Sequence, residues 1–355
     1  MMRPLILVSY LVAAAHSVAE VASSQTVVIR GDPTCRTCRI ERQLIVRIGE
    51  ADDELINGPV VAPVVRDIRG RFFVIDQDDG PVKAFTSDGE FSTLLGRKGA
   101  GPGESMRSAT VAVGVGDSVF VTDRPLMRCS VFGPNLKYVR SFPLAMSAIN
   151  TQSQVVDGLL VVSARANDAA GIGFPLFAFD ATGRRVKQIG PEEPRMDASQ
   201  TERAERVIGR AGNGKGGLLV AHRHRYQWWK LSSRLDPEAE FVREASWFRR
   251  YDPPNTQPLQ MDGVSYLKAI WEDDAGRIWV GIGTIHVRAT GEGRKTERTE
   301  SSRVEVLDVR SGTVLASVEF PERFVSGFSD GTVVFSEVRD DGRTVLSVNR
   351  LSLRR

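Results

Sequence analysis

The 355-residue chain is short of several things, and each shortage removes a class of protein. Charge of one sign is scarce: 47 Lys+Arg stand against 44 Asp+Glu, a net +3, which gives no electrostatic footprint for a nucleic-acid partner. Long apolar runs are missing. The longest, Leu5 to Ala15, falls short of the ~20 residues a membrane-spanning helix needs, and no later stretch comes nearer. No Cys directly follows that run, so a lipoprotein anchor has no acceptor. No Ser-His-Asp order with a nucleophile elbow occurs, and the Gly99 to Gly103 stretch lacks the Lys-Ser/Thr that completes a phosphate-binding loop. Cysteine is down to three residues, Cys35, Cys38 and Cys129, too few for a disulfide scaffold.

What is present begins with a leader. Arg3, the apolar run and the small residues Ser17 to Ser24 read as a secretory signal over residues 1–24, cleaved after Ala19, Ser23 or Ser24. The expectation is an exported protein, periplasmic or extracellular, with residues 25–41 as an N-terminal extension. Cys35 and Cys38 are read first as a structural disulfide in an oxidising compartment, with a redox dithiol, a metal site or free thiols as alternatives. Cys129 reads as a small buried hydrophobe.

With 33 Gly and 17 Pro, the remainder suits many short strands and tight turns. One phrase, a turn followed by apolar strands, returns at intervals of roughly 40 to 60 residues, the spacing of propeller blades. Copies open at Gly70-Arg71-Phe72, Gly116-Asp117-Ser118, Asp157-Gly158-Leu159, Gly216-Gly217-Leu218, Ala275-Gly276-Arg277 and Asp330-Gly331-Thr332. Preceding strands such as Val60 to Val65 and Tyr266 to Trp271 bring each copy to four. The fold class expected is all-β: a six-bladed β-propeller over residues 42–355, four antiparallel strands per blade. The sixth copy reaches the C-terminus one strand short. The spare strand Arg42 to Gly49 is expected to pair with Thr344 to Leu351 and close the ring, covering an edge otherwise open to aggregation.

Two segments, Asp67 to Asp76 and Gly96 to Glu104, resemble the bacterial six-bladed β-propeller family related to NHL-repeat proteins. The resemblance covers residues 42–142, and departs from the family where Ser105 stands in place of the usual aromatic residue. It implies the fold and an extracytoplasmic setting, and no particular reaction.

Connections after the second and fourth strands of a blade emerge on one face. That face is expected to carry the long segments Arg97 to Arg107, Ala166 to Phe174, Pro191 to Gln200, Phe248 to Asp262 and Gly283 to Ser302. The other is expected to carry the glycine turns at Gly70, Gly89, Gly183, Gly312 and Gly342. Long loops on a rigid scaffold are where binding concentrates, so the working face is placed there. Candidate ligand-binding residues are Arg97, Lys98, His222, His224, Tyr226, Trp228, Trp247, Arg249 and Arg250, a basic and aromatic set suited to an anionic or sugar-like ligand, with Tyr251 beside them. The plainer reading makes the aromatic members blade-to-blade packing. Inner strands are expected to start near Arg107, Asn150, Glu202, Asp262 and Glu322. Of these, Asn150, Glu202, Asp262 and Glu322 form an alternative Ca²⁺ site at the channel mouth, which would polarise a lactone or ester carbonyl. The leading reading is a monomeric binding or scaffold module for a protein, peptide or carbohydrate, needing no cofactor; the alternative is a lactonase-like hydrolase or lyase.

Overall fold

Short runs of Val, Ile, Phe and Trp, each closed by a Gly or Asp turn, set the element length throughout. The computed structural model describes residues 26–50, 56–77, 80–166, 173–190, 205–212, 216–250, 261–289 and 296–355, and their regular elements are strands apart from the 3-10 turn at Val115–Asp117. Among them no helix is long and apolar enough to cross a membrane.

Three strands precede the repeats: β1 (Thr26–Ile29), β2 (Arg39–Ile48) and β3 (Ile56–Asn57). Blade one follows as β4 (Val65–Arg66), β5 (Phe72–Val74), β6 (Val82–Phe85) and β7 (Phe91–Leu95). Blade two is β8 (Ser108–Val113), β9 (Val119–Asp123), β10 (Arg128–Phe132) and β11 (Tyr138–Pro143). Blade three is β12 (Met146–Val156), β13 (Leu159–Ala166), β14 (Leu176–Phe179) and β15 (Arg185–Ile189). Blade four is β16 (Arg206–Ala211), β17 (Gly217–His222), β18 (Gln227–Leu231) and β19 (Pro237–Arg243). Blade five is β20 (Ser265–Glu272), β21 (Ile278–Ala289), β22 (Thr296–Asp308) and β23 (Thr313–Phe320). Blade six supplies β24 (Arg323–Gly327), β25 (Thr332–Val338) and β26 (Arg343–Arg354). The protein is a six-bladed β-propeller.

A local sequence device recurs at the turns. In Asp67-Ile-Arg-Gly-Arg71 the Asp67 carboxylate accepts from the backbone N–H groups of Arg69 and Arg71 and from Arg71 Nε. Asp180 does the same with Thr182 and Arg184, and Asp273 with Ala275 and Arg277. Each carboxylate satisfies turn donors that no strand can reach, and the glycine supplies the positive φ that reverses the chain.

The core lies in the seams, where one blade's face meets the next. Phe73, Val121 and Phe132 fill the seam of blades one and two, and Phe142, Phe177 and Phe179 that of two and three. Trp228, Phe241 and Ile270 join blades four and five; Trp271, stacked 5.8 Å from Trp279, joins five and six with Phe324. At about 1.5–3 kcal/mol per large side chain, each seam is a separate small core. Near the axis the inner strands crowd. A Cβ on Gly209 of β16 would lie 1.7 Å from the Ile270 carbonyl oxygen of β20, so only glycine fits there.

The ring closes as expected, with more chain than expected. β2 pairs antiparallel with β26, from Arg39 opposite Arg354 to Ile48 opposite Leu346, and so begins before the anticipated Arg42. Upstream, β1 adds in parallel to the outer edge of β19, with Thr26 opposite Glu240 and Ile29 opposite Arg243. Between them Thr34 N donates to the Val314 carbonyl of β23, the outer strand of blade five. Cys35 and Cys38 are bonded to each other, and Cys38 is buried against the seam of blades five and six. The extension is therefore a strap across the rims of blades four, five and six. Residues 1–24 lie outside the described part.

Two loop assignments need correction. Gly283 to Ser302 is not a long loop: β21 and β22 pair continuously from Ile278 opposite Leu307 to Ala289 opposite Thr296, a hairpin reaching beyond its blade. Its base is anchored where Ile285 and Val287 pack on Tyr266 and Val287 N donates to Asp262 Oδ1. The turn at Asp340 to Gly342 joins β25 to β26, the second and third strands, so it belongs to the face opposite the one expected.

Candidate functional site

On the face carrying the connections after second and fourth strands, blade four holds a cleft of about 480 Å³. Strand β17 ends at His222, and the chain reverses through Arg223 to Tyr226 into β18. The reversal is held by Arg225 N donating to the His222 carbonyl and Leu267 N, from blade five, donating to that of Arg223. β19 runs back alongside and delivers Glu244, Ala245 and Ser246. The cleft lies between these stretches, with Arg225 and Arg250 exposed at its rim. Neither arginine forms an ion pair among the described residues. Tyr226 and Phe248, ring centroids 5.2 Å apart, form its aromatic floor, and Gln227 and Ser246 add neutral hydrogen-bonding groups. Arg30 of the strap ion-pairs with Glu244 at 2.6 Å, so the strap reaches the cleft wall.

Beneath the floor is a buried polar core. Tyr226 OH donates to Glu305 Oε2 at 2.8 Å, and Arg243 Nε lies 3.2 Å from the same oxygen, with both charged side chains 1% exposed. The fixed pair holds the tyrosine ring in place as a rigid floor.

His222 and His224 stand behind the reversal. His222 is buried, and burial, followed by the charges of Arg206 and Arg225, pushes its pKa down to about 2. Burial, then Arg223 and Arg206, pushes His224 down to about 3. Both are neutral in the folded protein, while in the unfolded chain a histidine titrates near 6.5. Below that pH the unfolded chain takes up protons that the folded one refuses, so stability falls from pH 6.5 down towards pH 3. For His222 the loss by pH 5 is about 2 kcal/mol. Denaturant midpoints at pH 7 and pH 5 should show this fall, and His222→Gln should roughly halve it, leaving the share of His224. Equal midpoints would contradict the burial of neutral imidazole.

The sequence-predicted residues divide sharply. Trp228 is fully buried and stacked on Phe241 at 5.3 Å, so it is seam core and not a surface contact. Tyr226 presents its ring to the cleft while its hydroxyl points into the core. Trp247 lies under the Arg303 guanidinium at 4.3 Å. Arg249 is exposed, and its Nη1 donates to the Asp262 carbonyl. Arg250 lines the cleft. Arg97 and Lys98 sit in the connection from blade one to blade two, across the ring; Arg97 pairs with Glu104 and Lys98 bridges to Ser105. Tyr251 and Glu202 lie outside the described residues.

The three described members of the alternative cation set do not converge. Asn150 lies within β12 and donates from Nδ2 to Ser163 Oγ, Asp262 accepts from Val287 N, and Glu322 pairs with Arg42 at 2.7 Å. Each points to a different partner, although the inner strands begin at Ser108, Met146, Arg206, Ser265 and Arg323, close to the expected starts. Among the described residues no three metal-ligating side chains converge. Sequence reading missed Arg225, Gln227, Ser246 and Phe248. The available signal was the clustering of arginines with aromatics in 223–228 and 247–250.

No protein-family model and no curated protein matches the chain. Solved structures do. An exported protein of unassigned role from Bacteroides fragilis aligns with a TM-score of 0.60 at 11% identity, over 92% of this chain and 100% of its own. A member of the DUF4221 family from Bacteroides vulgatus aligns at 0.64 with 10% identity, over 89% of this chain and 98% of its own. At that identity the likeness is one of fold.

Proposed function

We propose that the propeller is an exported recognition module that takes an acidic carbohydrate into the blade-four cleft. The observation that carries the reading is the pair of exposed arginines, Arg225 and Arg250, facing a cleft floored by Tyr226 and Phe248. Guanidinium groups without carboxylate partners favour a carboxylate or sulfate, which they can hold bidentately. The aromatic floor suits the apolar face of a sugar ring, and Gln227 and Ser246 suit its hydroxyls. Export rests on the leader-like residues 1–24.

Titration with oligogalacturonate should show saturable binding that weakens as salt rises, and neutral malto-oligosaccharides should bind far less. Arg225→Ala and Arg250→Ala should each weaken the acidic ligand about tenfold or more, with the fold unchanged by circular dichroism. Equal affinity for neutral and acidic sugars would overturn the reading.

A further inference from the structure

A second cluster lies at the inner end of the same face, where blades four, five and six meet, and it stands independently of the cleft. β20 carries Tyr266 and Lys268. Lys268 falls where the register of β20 against β21 slips between Leu267 and Ala269, a bulge that takes its side chain out of the regular alternation. The overlong β22 brings Glu300 over it. Lys268 Nζ lies 2.9 Å from Glu300 Oε1, and Tyr266 OH donates to Glu300 Oε2 at 2.6 Å. Arg323, at the start of blade six, places Nε 3.2 Å from the same Oε2. Arg223, from blade four, lies 5.2 Å from the Tyr266 ring centroid, and Lys268 Nζ 5.0 Å from it. Gly283 makes the space: a Cβ there would be 2.6 Å from Glu300 Oε1 and 3.1 Å from Lys268 Cε.

Three cationic groups thus share two carboxylates, Glu300 for Lys268 and Arg323 and, at 3.2 Å, Glu205 for Arg223, which leaves one positive charge in excess. Two of the three are guanidinium groups, which cannot release a proton, so the amine is the group that yields. Burial, reinforced by Arg323 and Arg223 against the opposing Glu300, brings Lys268 down to about 7. Glu300, despite burial, is held below the usual carboxylate range by Lys268 and Arg323, and burial makes Tyr266 keep its proton. A bulge, a glycine and a projecting hairpin are three local departures from the blade repeat, and all three serve one amine.

We propose that Lys268 is a nucleophilic lysine that condenses reversibly with the aldehyde or ketone group of a small anionic compound. The neutral Nζ adds to the carbonyl carbon. Glu300 takes in turn the two protons shed by nitrogen and passes each to the former carbonyl oxygen, first giving the carbinolamine and then water, which leaves as the C=N bond forms. One carbonyl and one amine give one imine and one water, with no oxidant or reductant. Arg223 and Arg323 beside the amine favour a carbonyl compound that carries a carboxylate.

The test is to treat the folded protein with glyoxylate and cyanoborohydride at pH 7, which converts an imine to a stable carboxymethyl-lysine, and to map the modified peptides. Lys268 should react about tenfold faster than Lys187 or Lys230. Exposure alone predicts the reverse order, because the Lys268 side chain is 9% exposed against 34% and 32% for those two. The pH profile of labelling at Lys268 should have its midpoint near 7. Arg323→Ala should move that midpoint upward by removing a positive neighbour, and Lys268→Met should abolish the fast adduct. Labelling led by Lys187 or Lys230, or a profile that Arg323→Ala leaves in place, would overturn the proposal.

Discussion

A chain lacking residues 26–48 is expected to fail to fold as a monomer. Ile29 and Ile48 are fully buried by the strap, and Cys38 nearly so. At about 1.5–3 kcal/mol for each large apolar side chain, their loss alone removes several kcal/mol. The loss of β2 also strips backbone partners from β26 along most of its length, and the loss of β1 opens the edge of β19. Together these losses approach the roughly 5–15 kcal/mol that usually separates folded from unfolded protein. Two bared strand edges also template association. Size-exclusion chromatography should show aggregate, and calorimetry no cooperative transition. Removing residues 26–30 alone uncovers only the blade-four edge, and should give a monomer that melts several degrees lower. A full deletion that remains monomeric and melts like the intact chain would refute the closure described above.

Glu305→Ala should be the most damaging single substitution near the cleft, costing about 3–5 kcal/mol, because it strands the Arg243 guanidinium in the seam of blades four and five. Arg243 and Glu305 are each 1% exposed, so water cannot replace the lost partner. Tyr226→Phe removes only one hydrogen bond to Glu305, leaves the ion pair, and should cost about 1–2 kcal/mol. The denaturant midpoint should drop in that order with the slope little changed. The double variant should lose less than the sum, since both substitutions act on one oxygen. Additive losses would mean that the three side chains do not act as a unit.

The ring was legible in the sequence because its signals are local. Runs such as Phe72-Phe73-Val74-Ile75 and turns such as Asp67 to Arg71 are each written in a few consecutive residues. What escaped is set by contacts distant along the chain. Thr296 to Ser302 is polar throughout and reads as loop, yet main-chain pairing with β21 makes it strand. Thr26 to Ile29 is too short to declare itself without the β19 edge that receives it. Trp228 and Arg250 look alike as members of a basic, aromatic set, yet strand β18 sends Trp228 into the seam while Arg250, beyond the end of β19, stands at the cleft rim. The blade-four cleft therefore holds Tyr226 and Arg250 from the residues singled out in the sequence, while Trp228 belongs to the seam. The Lys268 cluster was invisible for the same reason: its side chains come from three blades, and the bulge that aims the lysine has no sequence mark.

The pairing of Arg39 with Arg354 also orders events in time. β2 is made long before its partner β26, with all the other blade strands between them. Loops of such length close slowly, and topologies dominated by distant contacts fold slowly. Blades one to five can gather as they are made, yet the ring stays open until β26 has joined them. A chain truncated within β26 would betray itself by its unlatched strap.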